Sequence, residues 1–129
     1  MILNLDFNSD VPIYTQITEQ IIKSIANGNL KINESLPSVR NMAEEIGVNL
    51  HTVNKSYNLL KEKGYINIDR RKGAIVNSLP LAIKDENVEK IKSTLDLLVA
   101  ESYLLGITKD EFIEYSKKLF SDYGVINNE

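Results

Sequence analysis

The stretch LPSVRNMAEEIGVNLHTVNKSYNLLKEKGYI, residues 36–66, carries two short amphipathic patterns with almost nothing between them. Pro37 suits the start of the first, in which Val39, Met42, Ala43 and Ile46 recur at helical spacing. Gly47 stands just past its end. Asn49 is a good N-cap for a second helix, about residues 50–63, and Gly64 ends it. Only two or three residues separate the pair, which forces a sharp turn. Ala43, Gly47 and Val53 supply the small residue, turn glycine and buried aliphatic that a helix-turn-helix needs.

The second helix divides cleanly when plotted at 100° per residue. Val53, Tyr57 and Leu60 fall within about 60° and are expected to face a core. His51, Asn54, Lys55 and Asn58 lie opposite or to the side. A plain solvated face favours Glu, Lys, Gln and Ala, because Asn, His and Thr are poorer helix formers. Asn suits adenine N6 and N7, His suits guanine N7 or O6, and Lys reaches guanine or phosphate. A helix that gives up propensity for these groups reads as one that contacts base edges.

Working outward, Pro12 precedes Tyr14, Ile17, Ile21 and Ile25, which predicts an upstream helix at about 11–27 that Gly28 stops. Residues 2–8, ILNLDFN, suggest a short extended arm. Downstream, YINID (65–69) and AIVN (74–77) alternate and are rich in β-formers, with RRKG between them. They predict a hairpin with a basic tip. Three helices and a hairpin in this order make a winged helix-turn-helix. SLPLAIK (78–84) reads as a linker. Residues 85–105 then stripe with Val88, Ile91, Leu95, Leu98 and Leu105. Thr108 to Glu111 is a capping box that opens a last helix to about 122, striped by Phe112, Tyr115, Leu119 and Tyr123. The fold class is therefore mainly α with a small β-hairpin: a winged domain at 1–77 and, at 78–129, a two-helix module expected to serve dimerisation, because a lone helix pair cannot bury both sides of its stripe without a partner surface.

Net charge is −3 over 129 residues, which at first argues against nucleic acid. The distribution argues for it. Residues 38–73 hold seven Lys or Arg against four Asp or Glu, a net of +3, whereas residues 78–129 hold six against ten, a net of −4. There is no cysteine, so disulfides, thiolate metal sites and cysteine nucleophiles are excluded. His51 is the single histidine, with no ligand cluster around it, and neither G-x-S-x-G nor a phosphate-binding glycine loop occurs. Neither an enzyme nor a cofactor is expected. No apolar run is long enough to span a membrane, and no secretory signal is visible, so a cytoplasmic location is expected.

PIYTQITEQIIKSIANGNL, LPSVRNMAEEIGVNLHTVNKSYNLLKEKGYI and GAIV together resemble the GntR family of bacterial transcription regulators, in order and over about residues 10–77. The short two-helix tail is similar to that of the YtrA subfamily, whose members dimerise through it and lack a large ligand-binding domain. The resemblance implies a dimeric regulator reading a palindromic operator. It places Arg40, in the LPSVR motif, on DNA from the first helix of the pair. Asn49, Leu50, His51, Thr52 and Asn54 match the start of the recognition helix, and Gly73 matches the wing glycine that approaches the minor groove. Two positions depart from the family pattern. Some members place arginine at Leu50, and many wings read G-x-G where Arg71 replaces the first glycine.

The expected partner is double-stranded DNA, bound by a homodimer acting as a repressor. To the residues above, the helix face adds Lys55 and Asn58, and the tip adds Arg70, Arg71 and Lys72 as phosphate or minor-groove contacts. Val88, Ile91, Leu95, Leu98, Phe112 and Leu119 are the candidate dimer contacts. A tail of about 50 residues indicates no effector pocket, so a small-molecule effector is unassigned. The rival reading is a winged-helix protein-interaction module without DNA binding, for which Leu50 and the acidic net charge speak.

Overall fold

Isoleucines 17, 21 and 25 draw one apolar edge along α1, Ile13–Ala26, and all three are buried. The computed structural model describes residues 2–82 and 84–127, and the chain divides into two compact units, Met1–Leu81 and Ala82–Glu129. In the first unit α1 is followed by α2, Val39–Ile46, and α3, Leu50–Glu62. Pro37 does not open α2 as expected. Ser38 is the N-cap, its Oγ accepting the Asn41 amide at 3.1 Å. A hydroxyl satisfies one of the helix's orphan amides, which proline cannot do. Gly47 closes α2 at φ 69°, a left-handed conformation that residues with a Cβ rarely adopt. Asn49 caps α3, its Oδ1 accepting the His51 amide at 2.7 Å.

The hairpin pairs β1, Ile66–Asp69, with β2, Gly73–Val76, antiparallel, Ile66 opposite Val76 and Asp69 opposite Gly73. Each strand starts one residue away from the alternating pattern, because Gly73 takes part in the ladder while Tyr65 and Asn77 form only its flank, joined by the Asn77 amide to the Tyr65 carbonyl at 3.0 Å. The other side of β2 is also paired. The Leu36 amide donates to Ala74 at 2.8 Å, and the Val76 amide donates to Glu34 at 3.0 Å. The segment after α1 thus covers an edge that would otherwise stand open.

The core of this unit is apolar, with two satisfied polar exceptions. The Thr18 and Ser56 hydroxyls lie 2.6 Å apart, and both reach the Tyr14 carbonyl, at 2.7 and 3.2 Å. They tie α3 to α1 at one depth. Tyr57, buried, donates its hydroxyl to the Pro37 carbonyl at 2.6 Å. Burial, with Glu45 adding to it, pushes this phenol well above the ordinary tyrosine range, so it remains a neutral donor. Among the described residues, every buried side chain of the chain lies between Ile17 and Val76.

The second unit consists of α4, Asp85–Leu104, and α5, Lys109–Asn127. The capping box forms: the Glu111 amide donates to Thr108 Oγ1 at 3.1 Å, and Glu111 Oε1 accepts from the Thr108 amide at 3.4 Å. Helix α5 runs past the expected end near 122. Gly124 lies within it, and a helical glycine costs only about 1 kcal/mol, too little to stop a helix without a proline or a capping turn. No residue of α4 is buried, and Ile91, Leu95 and Leu98 are all exposed.

Candidate nucleic-acid interface

Helix α3 is split by burial as its sequence expects. Val53, Tyr57 and Leu60 are buried, while His51, Asn54, Lys55 and Asn58 are exposed. The two sets cannot exchange, because the Thr18–Ser56 and Tyr57–Pro37 hydrogen bonds fix the rotation of the helix. At its start, Leu50 is exposed and Thr52 is half-buried. Asn49 is exposed, but its carbonyl oxygen is committed to capping, which leaves its amide nitrogen as the donor it offers outward. Arg40 is exposed in the first turn of α2 and, among the described residues, makes no ion pair with Glu44. Arg40, Ala43, Glu44, Gly47, Val48 and Leu50 line an open groove of about 510 Å³ between α2 and the start of α3.

Two contributors to this surface escape a sequence reading. Tyr14 counts there only as part of the α1 stripe. In the structure its ring lies under Lys55, with Nζ 3.9 Å from the ring centroid. This cation–π contact holds the ammonium over a ring of α1 rather than leaving it on a free four-carbon stem. The second is Asp69. Arg70, Arg71, Lys72 and Gly73 are exposed at the hairpin tip. Asp69 Oδ1 accepts the Arg71 amide at 2.8 Å and the Lys72 amide at 2.9 Å. These two bonds, Lys72's first, hold the carboxyl below its ordinary range. An acidic residue beside three cations is thus spent on the backbone of their turn, and Gly73, at φ 76°, completes it. The signal was in the sequence as an aspartate opening a turn that a glycine closes.

Three helices with a glycine turn between the second and third, a hairpin after them, an exposed polar face on the third helix and cations at the hairpin tip define a winged helix-turn-helix protein. Residues 13–76 match the family described as bacterial regulatory proteins, gntR family. The HTH-type transcriptional regulator YhcF of Bacillus subtilis is 33% identical over 123 residues, 92% of this chain and 97% of the relative. The HTH-type transcriptional repressor YtrA of Bacillus subtilis is 29% identical over 121 residues, 93% of each. Among solved structures, YtrA from Sulfolobus acidocaldarius, a GntR-family transcription factor, is 38% identical over 76% of this chain and 99% of that one, with a TM-score of 0.61. The DNA-binding domain of AraR, solved in complex with an operator, is 25% identical over 57% of this chain and 92% of that one, with a TM-score of 0.50. The chain belongs to the GntR family, in its YtrA-like branch. It is a DNA-binding transcription regulator and not an enzyme.

Proposed function

We propose that the chain is a cytoplasmic, homodimeric repressor that reads a palindromic operator. The observation that carries this reading is the division of α3, which turns His51, Asn54, Lys55 and Asn58 outward from the same unit that holds the cationic hairpin tip. In it, α3 enters the major groove, Arg40 and the tip hold phosphates, and Gly73 lets the hairpin backbone come close to the duplex. The exposed Ile91, Leu95, Leu98 and Leu119, with half-buried Val88 and Phe112, support a second copy of the chain as the partner of the tail. A twofold dimer calls for a twofold site. The name of the Bacillus subtilis YtrA relative supports repression. No helix among the described residues is long and apolar enough to cross a membrane, which supports a cytoplasmic setting.

Selection of bound duplexes from a random pool by the full-length chain tests the reading of a palindromic operator by a dimer. Inverted half-sites, with centres about one helical turn apart or a multiple of it, are the expected result. A pool without enrichment, or one enriched in single half-sites, would overturn it. Within such an operator, Asn54→Ala is expected to weaken binding by about 1–3 kcal/mol and to relax preference at one base pair per half-site. An unchanged base profile would remove Asn54 from the readout.

The hairpin tip gives a separate expectation. Asp69→Ala removes a negative charge, which alone would strengthen binding to DNA, but it also frees the turn that aims Arg71 and Lys72. Binding to any duplex is expected to fall roughly two- to tenfold, about the worth of one net hydrogen bond. Asp69→Asn keeps an acceptor without the charge, so it is expected to bind at least as well as the wild type. Equal gains from both variants would show that charge, and not the turn, is what matters there.

A further inference from the structure

Leu50 is the first residue of α3 and is 43% exposed, although the other exposed residues of that helix are polar. It stays out of the core, which Val53, Tyr57 and Leu60 enter from the same helix. It lines instead the open groove between α2 and α3, together with buried Ala43, half-buried Val48, Gly47 and the exposed Arg40 and Glu44. A single exposed leucine is ordinary on a protein surface. Its position is what gives it meaning, because the first turn of a recognition helix is the part that meets base edges.

Asn49, His51 and Thr52 bring hydrogen-bonding groups to that turn, and Leu50 brings only methyl groups. The major-groove edges of the four base pairs present acceptors, donors and one apolar group, the C5-methyl of thymine. Leucine placed against a guanine or adenine edge would strip water from acceptors and give nothing in return. Against cytosine it would cover the N4 donor in the same way. Against thymine it exchanges water for a methyl contact. Attraction and exclusion therefore point to the same base.

We propose that Leu50 is a specificity-determining residue that reads the C5-methyl of one thymine in each operator half-site, seated in the groove formed with Ala43 and Val48. This rests on the reading in which α3 enters the major groove.

The test uses the operator selected by the full-length chain. Each thymine is replaced in turn by deoxyuridine, which keeps the pairing and the O4 acceptor and removes only the methyl. At one thymine per half-site the wild-type chain is expected to lose about fourfold in affinity, the worth of one buried methyl, and about fifteenfold when both half-sites are changed. Leu50→Ala is expected to bind the thymine and deoxyuridine duplexes equally. Indifference of the wild-type chain to every deoxyuridine, with operator binding intact, overturns the proposal without touching the major-groove reading. So does full sensitivity retained by Leu50→Ala, which would hand the methyl to another side chain such as Thr52. The scan with unaltered protein needs no variant to fold. Failure of the wild-type chain to bind any duplex would overturn the major-groove reading, and this proposal with it.

Discussion

A chain ended at Leu81 is expected to fold, to be monomeric, and to bind the operator roughly 10²–10⁴-fold more weakly than the full chain. It should fold because all the buried side chains among the described residues lie between Ile17 and Val76, and the Thr18–Ser56 and Tyr57–Pro37 hydrogen bonds are internal to that span. It should be monomeric because the exposed Ile91, Leu95, Leu98 and Leu119 are gone with α4 and α5. In a dimer the second half-site is met at an effective concentration on the order of millimolar once the first is held. Cutting that link removes the gain and leaves each half-site contact as it was. Weak binding to any duplex should survive, since Arg40, Lys55 and the hairpin cations remain. Leu98→Asp in the full chain is expected to act in the same way, because it would bury an unpaired carboxylate between the two copies. Sedimentation beside an operator titration decides the matter. A truncated chain that stays dimeric, or a full chain that sediments as a monomer at micromolar concentration, would give the tail a different role.

The parts of this protein that could be read in advance are those whose physics is local. Asn49 and Gly47 mark the ends of their helices whatever lies around them, and the 3.6-residue rhythm of Val53, Tyr57 and Leu60 names the buried side of α3. The polar face followed from the same rhythm. Apart from the Asp69 turn, which is local, most of what escaped depends on elements meeting in space. Residues 33–36 show no alternation, yet they pair with β2 because its free edge lies beside them. The Thr18–Ser56 pair and the Lys55–Tyr14 contact join residues about 40 positions apart, and nothing near either partner announces the other. Pro37 misled because a helix can start beside a proline in several ways, and Ser38 offered the better cap. The tail was half legible. Its stripe of Val88, Ile91, Leu95 and Leu98 could be read, but Leu97 and Leu104 are exposed on another side of α4, and one seam does not account for them.

Arg71→Ala combined with Lys72→Ala is expected to weaken binding to every duplex and to flatten its dependence on salt. In a dimer each substitution counts twice, so up to four phosphate contacts are lost. Each released contact is worth about 0.9 in the slope of log K against log salt, so the slope should become shallower by up to about 3.6. The gap between wild type and variant should accordingly widen by up to about 150-fold as salt falls from roughly 200 to 50 mM. Base preference should not change, because phosphate contacts fix position without carrying sequence. This separates the tip from α3, where Asn54→Ala is expected to change preference and leave the slope alone. Asp69 keeps the comparison clean. Its carboxyl, held low by the Lys72 and Arg71 amides, is ionised at and above the ordinary aspartate range, and the turn would loosen only as pH falls through the depressed value. At neutral pH the backbone of the tip is therefore held in both proteins, and the variant differs in its two cations. If slope and affinity both stay at their wild-type values, the tip faces solvent in the complex. Helix α3 and Arg40 would then have to account for all of the electrostatic attraction.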